Sequence, residues 1–428
     1  MTLRVAVATL GCKTNHYDTA SWLGRLDPAV FEIVPFAGMA DVYVVNSCTV
    51  TALADRQSRQ AAYQAKRRNP EATVILAGCY ATVETGSLTG SRVADRILPR
   101  GAPTDVVQAL IDEARARGLS PLDVDHGPQF GSQTRPYLKI QDGCEAVCSY
   151  CIIPRARGPV KSAPADEVLR QLEALAEKGV QEVVLTGIHV GQWGKDLPGR
   201  PRFAELLRRI GDSRLVPRVR TSSLEPLELT DDVIDAVATS RSLCPHLHIP
   251  LQSGSDGVLE RMRRPYRTRH FAERIERAAR AIPDLGLGMD VIVGFPGETD
   301  AEFAETLAFV ENLPFLYLHV FPFSVRPGTE AAGMPDPVPP DLRKARAREL
   351  IEMGKKRRRR AAEAQIGKIL SVLVEANRDS DTGLWTGFAP NYHEAAIDSA
   401  EPLGGRVVAV SAAGVYNQGH RIRGVLHR

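Results

Sequence analysis

The sequence predicts an α/β protein in three parts: a parallel sheet with covering helices, a partial barrel of six strand–helix units, and a small all-β barrel. Three observations predict this order. Short β-branched runs alternate with helical stretches in the first part, and strand and helix patterns then repeat along the second part. The last part is short, alternates apolar with polar residues, and is rich in glycine.

The first domain is predicted to comprise residues 1–125, with parallel strands that each precede a cysteine. The β-branched runs are 4–9, 41–45 and 73–77. The cysteines that follow them are Cys12, Cys48 and Cys79. Ligands of open α/β sheets bind beyond the carboxyl ends of the strands. We therefore expect the three thiols to converge on one point.

The second domain is predicted to comprise residues 130–362, and its start overlaps a predicted linker at 127–135. Its predicted strands are 137–141, 182–187, 218–222, 246–252, 289–295 and 317–323. Amphipathic segments such as 165–178 and 271–281 lie between them. Six units are too few for a closed eight-fold barrel but suit a partial one, with its active site at the C-terminal strand ends.

A long charged helix is predicted over 340–365, followed by a small all-β domain over 366–428. Residues 341–360 hold ten Lys or Arg against three Asp or Glu, although the net charge of the whole chain is only +3. The densest basic run is Lys355, Lys356, Arg357, Arg358, Arg359 and Arg360. Charge alone favours a solvated helix face over a phosphate-contacting surface.

Composition favours a cytoplasmic globular protein. Apolar residues make up 43% and charged residues 25% of the 428 residues, and no apolar run is long enough to cross a bilayer. The N-terminal apolar stretch is too short for a signal peptide and is interpreted as a first buried strand. An odd number of cysteines, seven, indicates metal ligation rather than disulfides in a reducing compartment.

Cys144, Cys148 and Cys151 form the most informative motif, C-x3-C-x2-C directly after a predicted strand. A cubane iron–sulfur cluster normally takes four ligands, commonly cysteine thiolates. Three close cysteines without a fourth nearby leave one iron open to chelate S-adenosylmethionine (SAM). A structural zinc site would need four ligands, often as two C-x2-C pairs, and no second pair follows here.

The segment 137–158 around this motif resembles the radical SAM methylthiotransferase family, and the resemblance covers essentially the whole chain. It implies a central radical SAM barrel and an N-terminal flavodoxin-like domain that holds an auxiliary cluster at Cys12, Cys48 and Cys79. The implied cofactors are two [4Fe–4S] clusters and SAM. The implied activity is transfer of a methylthio group to C2 of N6-threonylcarbamoyladenosine at position 37 of tRNA.

The resemblance also carries over candidate SAM-binding residues at the strand ends. These are Tyr150, Thr186, Gly187, Ser222, Ser223, Glu225, Gln252, Val291 and Val293. The two valines are equally expected as core residues, and Tyr150 as a core aromatic. His246 and His248, on an apolar strand, are interpreted as hydrogen-bonded core histidines. Cys244 matches no cluster position and is interpreted as structural.

The tail resembles a TRAM domain, a small RNA-binding β-barrel, through residues 371–375, Gly387 and 391–392. A basic segment that leads into such a barrel favours phosphate contact for the run 355–360. The implied partners are the tRNA anticodon loop and an electron donor such as flavodoxin or ferredoxin. A monomer without membrane association is expected.

Sister methylthiotransferases are the nearest alternatives, acting on isopentenyladenosine in tRNA or on an aspartate of a ribosomal protein. The strings that favour the threonylcarbamoyl branch are 11–15, 154–158 and 187–191. Thr14, His16 and Pro265 depart slightly from its expected pattern. Alternatives of another class are a non-catalytic iron–sulfur carrier and a zinc-stabilised RNA-binding protein. A carrier would need neither the long barrel nor the tail.

Overall fold

The chain folds as an α/β protein that ends in a small β-barrel, which confirms the predicted fold class. The computed structural model describes residues 2–101, 105–416 and 419–427. Within these residues, no helix combines the length and the apolar character needed to cross a membrane.

The N-terminal domain is a five-stranded parallel sheet between two layers of helices. Its strands are β1 (Leu3–Thr9), β2 (Phe31–Val34), β3 (Val42–Ser47), β4 (Thr73–Gly78) and β5 (Arg96–Leu98). Its helices are α1 (Lys13–Gly24), α2 (Ala52–Arg68), α3 (Cys79–Val83), α4 (Thr85–Leu88) and α5 (Val106–Ala116). The strand order β2-β1-β3-β4-β5 is the flavodoxin-like order. Alternate residues of β3 enter opposite cores, Val44 on the α5 side and Val45 on the α2 side.

The central domain is a partial barrel of six parallel strands. The six parallel strands are β6 (Tyr137–Lys139), β9 (Glu182–Thr186), β10 (Arg218–Thr221), β11 (His246–Gln252), β12 (Gly286–Val293) and β13 (Tyr317–Pro322). Two further short strands, β7 (Gln141–Asp142) and β8 (Lys161–Ser162), lie outside the barrel. Its helices are α6 (Ile153–Arg157), α7 (Ala165–Glu177), α8 (Phe203–Ser213), α9 (Asp231–Thr239), α10 (Asp256–Arg261), α11 (Thr268–Ala281), α12 (Asp300–Glu311) and α13 (Pro340–Glu363).

Hydrogen bonds divide the barrel strands into two groups, β10-β9-β6 and β11-β12-β13, which a single parallel bridge between Val219 and Leu243 joins. Within the central domain, two predicted strands differ from the observed ones by more than one residue at an end. The strand predicted at 137–141 breaks after Lys139, and β7 pairs with β8 as a short antiparallel ribbon that leads into the cysteine loop. The strand predicted at 289–295 begins earlier and ends at Val293.

The tail is a closed five-stranded barrel in the order β14-β15-β16-β18-β17. Its strands are β14 (Ile369–Val374), β15 (Trp385–Phe388), β16 (Glu394–Ile397), β17 (Val407–Val415) and β18 (Ile422–Leu426). Helix α13 joins it to the central barrel, since Leu350 is buried in the central core and Ala362 in the core of the tail.

Two arginines of β10 fix the tail barrel against the central barrel. Arg218 Nη2 donates to the Ser371 carbonyl at 3.0 Å, and Arg220 Nη1 donates to the Pro390 carbonyl at 2.9 Å. Both side chains are buried. The docking places Asn391 and Tyr392 of the tail beside Gly286, His246 and Tyr317, the first residues of β12, β11 and β13.

Candidate active site

The thiols of Cys12, Cys48 and Cys79 lie close together at the carboxyl edge of the N-terminal sheet. Cys12 precedes α1, Cys48 follows β3, and Cys79 begins α3 directly after β4. Burial, with smaller contributions from the other two thiols, raises the pKa of Cys48 to about 11. All three are free cysteines. Three free thiols that lie close enough to interact electrostatically match the donor set of an iron–sulfur cluster.

Gly11 and Gly78 allow the chain to bring these thiols together. Their φ angles are +95° and +91°, in the region that favours glycine. A Cβ atom at Gly11 would lie 2.6 Å from Cys48 Sγ, and one at Gly78 would lie 2.6 Å from the Ser47 carbonyl oxygen. A side chain at either position would therefore displace the neighbouring strand end.

Cys144, Cys148 and Cys151 lie in the loop between β7 and α6. Burial, with contributions from the other two thiols, raises the pKa of Cys151 to about 12. Two side chains from the barrel reach the sulfur atoms. His189 Nδ1 lies 3.4 Å from Cys144 Sγ, and Arg264 Nη1 donates to Cys148 Sγ at 3.2 Å. This loop is thus a second free-thiol site with a cationic guanidinium beside it.

Arg157 connects the two thiol sites. Its side chain is fully buried, and Nη1 donates to Asp142 Oδ1 at 2.8 Å. Nη2 donates to the side-chain oxygen of Asn15 in the N-terminal domain, and Asp18 lies 3.5 Å away. Burial raises the pKa of Cys79, and the positive charge of Arg157 offsets part of that effect. A residue of the central domain therefore stabilises a thiolate of the N-terminal domain.

A cavity of about 700 Å³ lies where the three domains meet. The N-terminal domain contributes Cys12 and Lys13, and the tail barrel contributes Tyr392. The six parallel strands of the central domain and the segments that follow β9 and β10 supply most of the remaining wall. These central residues are Tyr137, Val184, Thr186, Gly187, Ile188, Arg220, Thr221, Ser222, Ser223, His246, His248, Asp290, Tyr317, His319 and Phe321.

The cavity wall touches both thiol sites. Cys12 faces the cavity directly. On the other side, the backbone N–H groups of Ile188 and His189 donate to Gln141 Oε1 at 3.0 and 2.9 Å. Ile188 lines the cavity, while His189 contacts Cys144. One short loop thus links the cavity wall to the second thiol site.

Unpaired hydroxyl groups indicate that the cavity accommodates a polar ligand. Thr221 Oγ1 and Ser222 Oγ are buried and have no hydrogen-bond partner among the described residues. Buried hydroxyl groups without partners are rare unless a ligand or water satisfies them. Both hydroxyls lie at the end of β10 and line the cavity.

Asp290 is an acid of the cavity wall that two histidines contact. His248 Nε2 lies 2.8 Å and His319 Nδ1 lies 3.2 Å from Asp290 Oδ1. Burial alone would raise the pKa of Asp290, but these hydrogen bonds hold it well below its usual range. The interpretation of His246 and His248 as core histidines accounts for their hydrogen bonds to Tyr317. It did not anticipate that both also line the cavity.

Comparison with known proteins assigns the family. Residues 138–310 match the radical SAM superfamily, and residues 4–98 match the uncharacterized protein family UPF0004. The chain is 38% identical to the threonylcarbamoyladenosine tRNA methylthiotransferase MtaB of Bacillus subtilis, over 98% of this chain and 96% of that protein. The chain belongs to the radical SAM methylthiotransferase family.

Other relatives of this methylthiotransferase differ in the substrate that their names state. The chain is 36% identical to the tRNA-2-methylthio-N(6)-dimethylallyladenosine synthase of Thermus thermophilus, over 87% of this chain and 81% of that protein. Among solved structures, the radical SAM methyltransferase TsrM of Kitasatospora setae aligns with a TM-score of 0.54. That alignment covers 78% of this chain and 77% of TsrM at 14% identity, so it supports the fold alone.

The methylthiotransferase uses SAM and two [4Fe–4S] clusters, as its family does. The donor sets fit this requirement, because each domain presents three free thiols and leaves one cluster position for another ligand. The unpaired hydroxyls of Thr221 and Ser222 fit a ligand with ribose or amino-acid groups.

The predicted SAM-binding residues fall into two groups. Thr186, Gly187, Ser222 and Ser223 line the cavity. The other five do not line it: Tyr150 packs edge-on against Phe295, Glu225 pairs with Arg264, Gln252 lies at a bulge with a φ of +66°, and Val291 and Val293 are fully buried in the barrel core.

The predicted RNA-binding run of the methylthiotransferase divides by exposure. Lys355, Lys356 and Arg360 are exposed on α13, whereas Arg359 is half-buried and donates to Glu363 Oε1 at 3.0 Å. Arg357 donates to two backbone carbonyls of the barrel, and Arg358 lies 3.5 Å from Glu394 of the tail. Arg357 and Arg358 therefore contribute to domain packing, whereas Lys355, Lys356 and Arg360 are accessible to a partner.

Proposed function

We propose that this methylthiotransferase adds a methylthio group to C2 of N6-threonylcarbamoyladenosine at position 37 of tRNA. The observation that carries the proposal is the cavity between the two thiol sites, which Cys12 faces from one side and the loop beside Cys144 from the other. The names of the relatives at up to 38% identity support the threonylcarbamoyl branch.

In this proposal, Cys144, Cys148 and Cys151 hold the cluster that binds SAM, and Cys12, Cys48 and Cys79 hold the auxiliary cluster. When bound, these groups supply the electron transfer, hydrogen abstraction and sulfur that substitution of an unactivated aromatic C–H requires. The residues of the protein bind and orient these groups and the substrate, and they exclude water.

The protein's own side chains have distinct roles around these groups. Arg157 and Arg264 each place a guanidinium beside a thiol, which favours the thiolate that metal ligation requires. Thr186, Gly187, Ser222 and Ser223 offer backbone and hydroxyl groups to SAM at the strand ends. Tyr150, Glu225, Gln252, Val291 and Val293 do not line the cavity and are proposed as SAM contacts outside its wall.

The proposed macromolecular partner is the anticodon loop of tRNA. Single-stranded loops are recognised by splaying out unstacked bases, and a base displaced from the loop would enter the cavity. Exposed Lys355, Lys356 and Arg360 on α13 would contact phosphates beside the tail barrel. The proposal also includes a flavodoxin or ferredoxin as electron donor, a monomeric enzyme, and the cytoplasm, where tRNA is modified.

Mass spectrometry of tRNA nucleosides from a deletion strain tests the proposal. The methylthio form of threonylcarbamoyladenosine is expected to disappear, while its unmodified precursor is retained. Loss of methylthio-dimethylallyladenosine instead would assign the chain to the branch that modifies dimethylallyladenosine. Unchanged tRNA would redirect attention to the ribosomal-protein substrate.

A further inference from the structure

Lys13 is the cation of the cavity wall that forms no ion pair with any residue that the structure describes. It follows Cys12 directly and is exposed to the cavity. The charged side chains of the wall are Lys13, Arg135, Arg220, Asp290 and Glu375. Their pairing determines which of them is available to a ligand.

The other four charged groups are occupied. Arg220 Nε donates to Glu182 Oε1 at 2.8 Å, and Arg135 pairs with Glu375 across the junction with the tail. Asp290 is held by two histidines. Over residues 2–101, 105–416 and 419–427, by contrast, no carboxylate lies within ion-pair distance of the Lys13 ammonium and no hydrogen bond from it is formed.

The surroundings of Lys13 favour an anionic ligand. The guanidinium groups of Arg220 and Arg135 repel its ammonium, and the Asp290 carboxylate and the Cys12 thiolate attract it. Charges that face a cavity with protein walls interact more strongly than charges in bulk water. An anion brought in by a substrate would therefore supply an ion pair that no carboxylate of the described residues forms with Lys13.

We propose that Lys13 binds the carboxylate of the threonylcarbamoyl group and thereby selects the substrate. This inference rests on the proposed function. A threonyl group attached through a carbamoyl to N6 keeps its α-carboxylate free, whereas a dimethylallyl group at the same nitrogen carries no charge. The cavity, at about 700 Å³, lies within the size range of small-molecule sites and has room for a modified nucleoside.

A neutralised substrate tests this without altering the protein. Two anticodon-loop RNAs are compared, one with threonylcarbamoyladenosine and one with its threonyl methyl ester. Their dissociation constants are measured with the full chain carrying both clusters, without reductant. We expect the acid to bind about 10- to 100-fold more tightly, the range of a charge-assisted hydrogen bond. Equal affinity for acid and ester would overturn the inference.

Variants then assign the effect to Lys13. Lys13→Gln is expected to lose the preference for the acid while binding the ester as the native protein does, and Lys13→Arg is expected to retain most of the preference. Lys178→Gln, an exposed lysine at the end of α7, is the matched control and should change neither affinity. Iron content confirms that Lys13→Gln retains both clusters.

A different pattern would assign Lys13 to an RNA phosphate. In that case Lys13→Gln would weaken the acid and the ester by the same factor, and the inference would be wrong.

Turnover separates this inference from the proposed function. If the native enzyme converts the threonylcarbamoyl RNA but binds acid and ester equally, only the role of Lys13 fails. If it converts dimethylallyladenosine RNA and not the threonylcarbamoyl RNA, the proposed function itself fails.

Discussion

Arg157 donates a hydrogen bond to the side-chain oxygen of Asn15 and so joins the two loops that carry different cysteine triads. Both residues are buried. Arg157 follows Cys151 in the central domain, and Asn15 follows Cys12 in the N-terminal domain. The relative position of the two thiol sites is therefore fixed by a buried polar contact and not only by the packing of the domains.

Replacing Arg157 is expected to destabilise the protein. In Arg157→Gln, Asp142 and Asp18 lose one buried positive partner but keep Arg100 and Lys139, so the free energy of unfolding should fall by about 1–3 kcal/mol. Urea unfolding of the cluster-free protein measures this. Arg170→Gln is the control, because its side chain is 73% exposed and a change below about 0.5 kcal/mol is expected. Similar unfolding of both variants would contradict the role given to Arg157.

Variants of the two cysteine triads are expected to lose different activities. Cys79→Ala should bind about four irons instead of about eight, still form 5′-deoxyadenosine from SAM on reduction, and form no methylthio product. Cys148→Ala should lose both activities. Cys244→Ala, which removes a buried thiol outside both sites, should retain both. Release of 5′-deoxyadenosine by Cys148→Ala would refute the assignment of its loop.

Two neighbouring residues of α13 are expected to act differently. Lys356→Gln should weaken RNA binding and reduce the slope of log affinity against log salt by about 1, without changing thermal stability. Arg357→Gln should instead lower stability by about 1–3 kcal/mol, because the Glu311 and Leu313 carbonyls lose their donor. Binding titrations at several salt concentrations and thermal unfolding of both variants check this. Loss of RNA affinity in Arg357→Gln alone would reverse the assignment.

The stability of the tail is expected to fall with acid because of His393. Burial, together with the positive charges of Arg358 and Lys368, lowers the pKa of His393 to about 4. The unfolded chain, with a histidine pKa of about 6.5, therefore binds this proton first as the pH falls. The contribution of neutral His393 to the free energy of unfolding is fully present above pH ~6.5. It declines by about 3 kcal/mol down to pH ~4 and no longer changes below that pH.

Urea midpoints of the cluster-free protein at several pH values measure this dependence. His393→Gln is expected to show a flatter profile than the native chain between about pH 4 and 6.5. His126→Gln, which alters an exposed histidine, should follow the native profile. If the two variants behave alike, His393 is not the group responsible.

Local patterns in the sequence predicted the elements that are long, buried or regularly spaced. The short edge strands β2 and β5 were missed because β2 buries only one end and β5 has three half-buried residues, so neither shows a strong apolar run. The start of β12 was missed because it is rich in glycine. Gly288 belongs there because a Cβ atom would lie 2.1 Å from the Tyr317 ring.

Contacts between distant residues of the site left no local signal. Asn15 and Arg157 are 142 positions apart, and Cys148 and Arg264 are 116 positions apart. The cysteines could be found because their residue type and spacing carry the chemistry. The role of a buried arginine, or of a lysine without an ion pair, depends on the residues that folding brings near it. The local sequence therefore does not reveal that role.

The docking of the tail has a consequence for how this enzyme could be re-engineered. Tyr392 and Glu375 belong to the tail barrel, yet they form part of the cavity in which the base is proposed to react. Exchanging the tail for another RNA-binding module would therefore remove one side of the reaction chamber and release Arg135 from its carboxylate. In this chain, the tail barrel that is expected to bind the RNA also helps to determine which base can be modified.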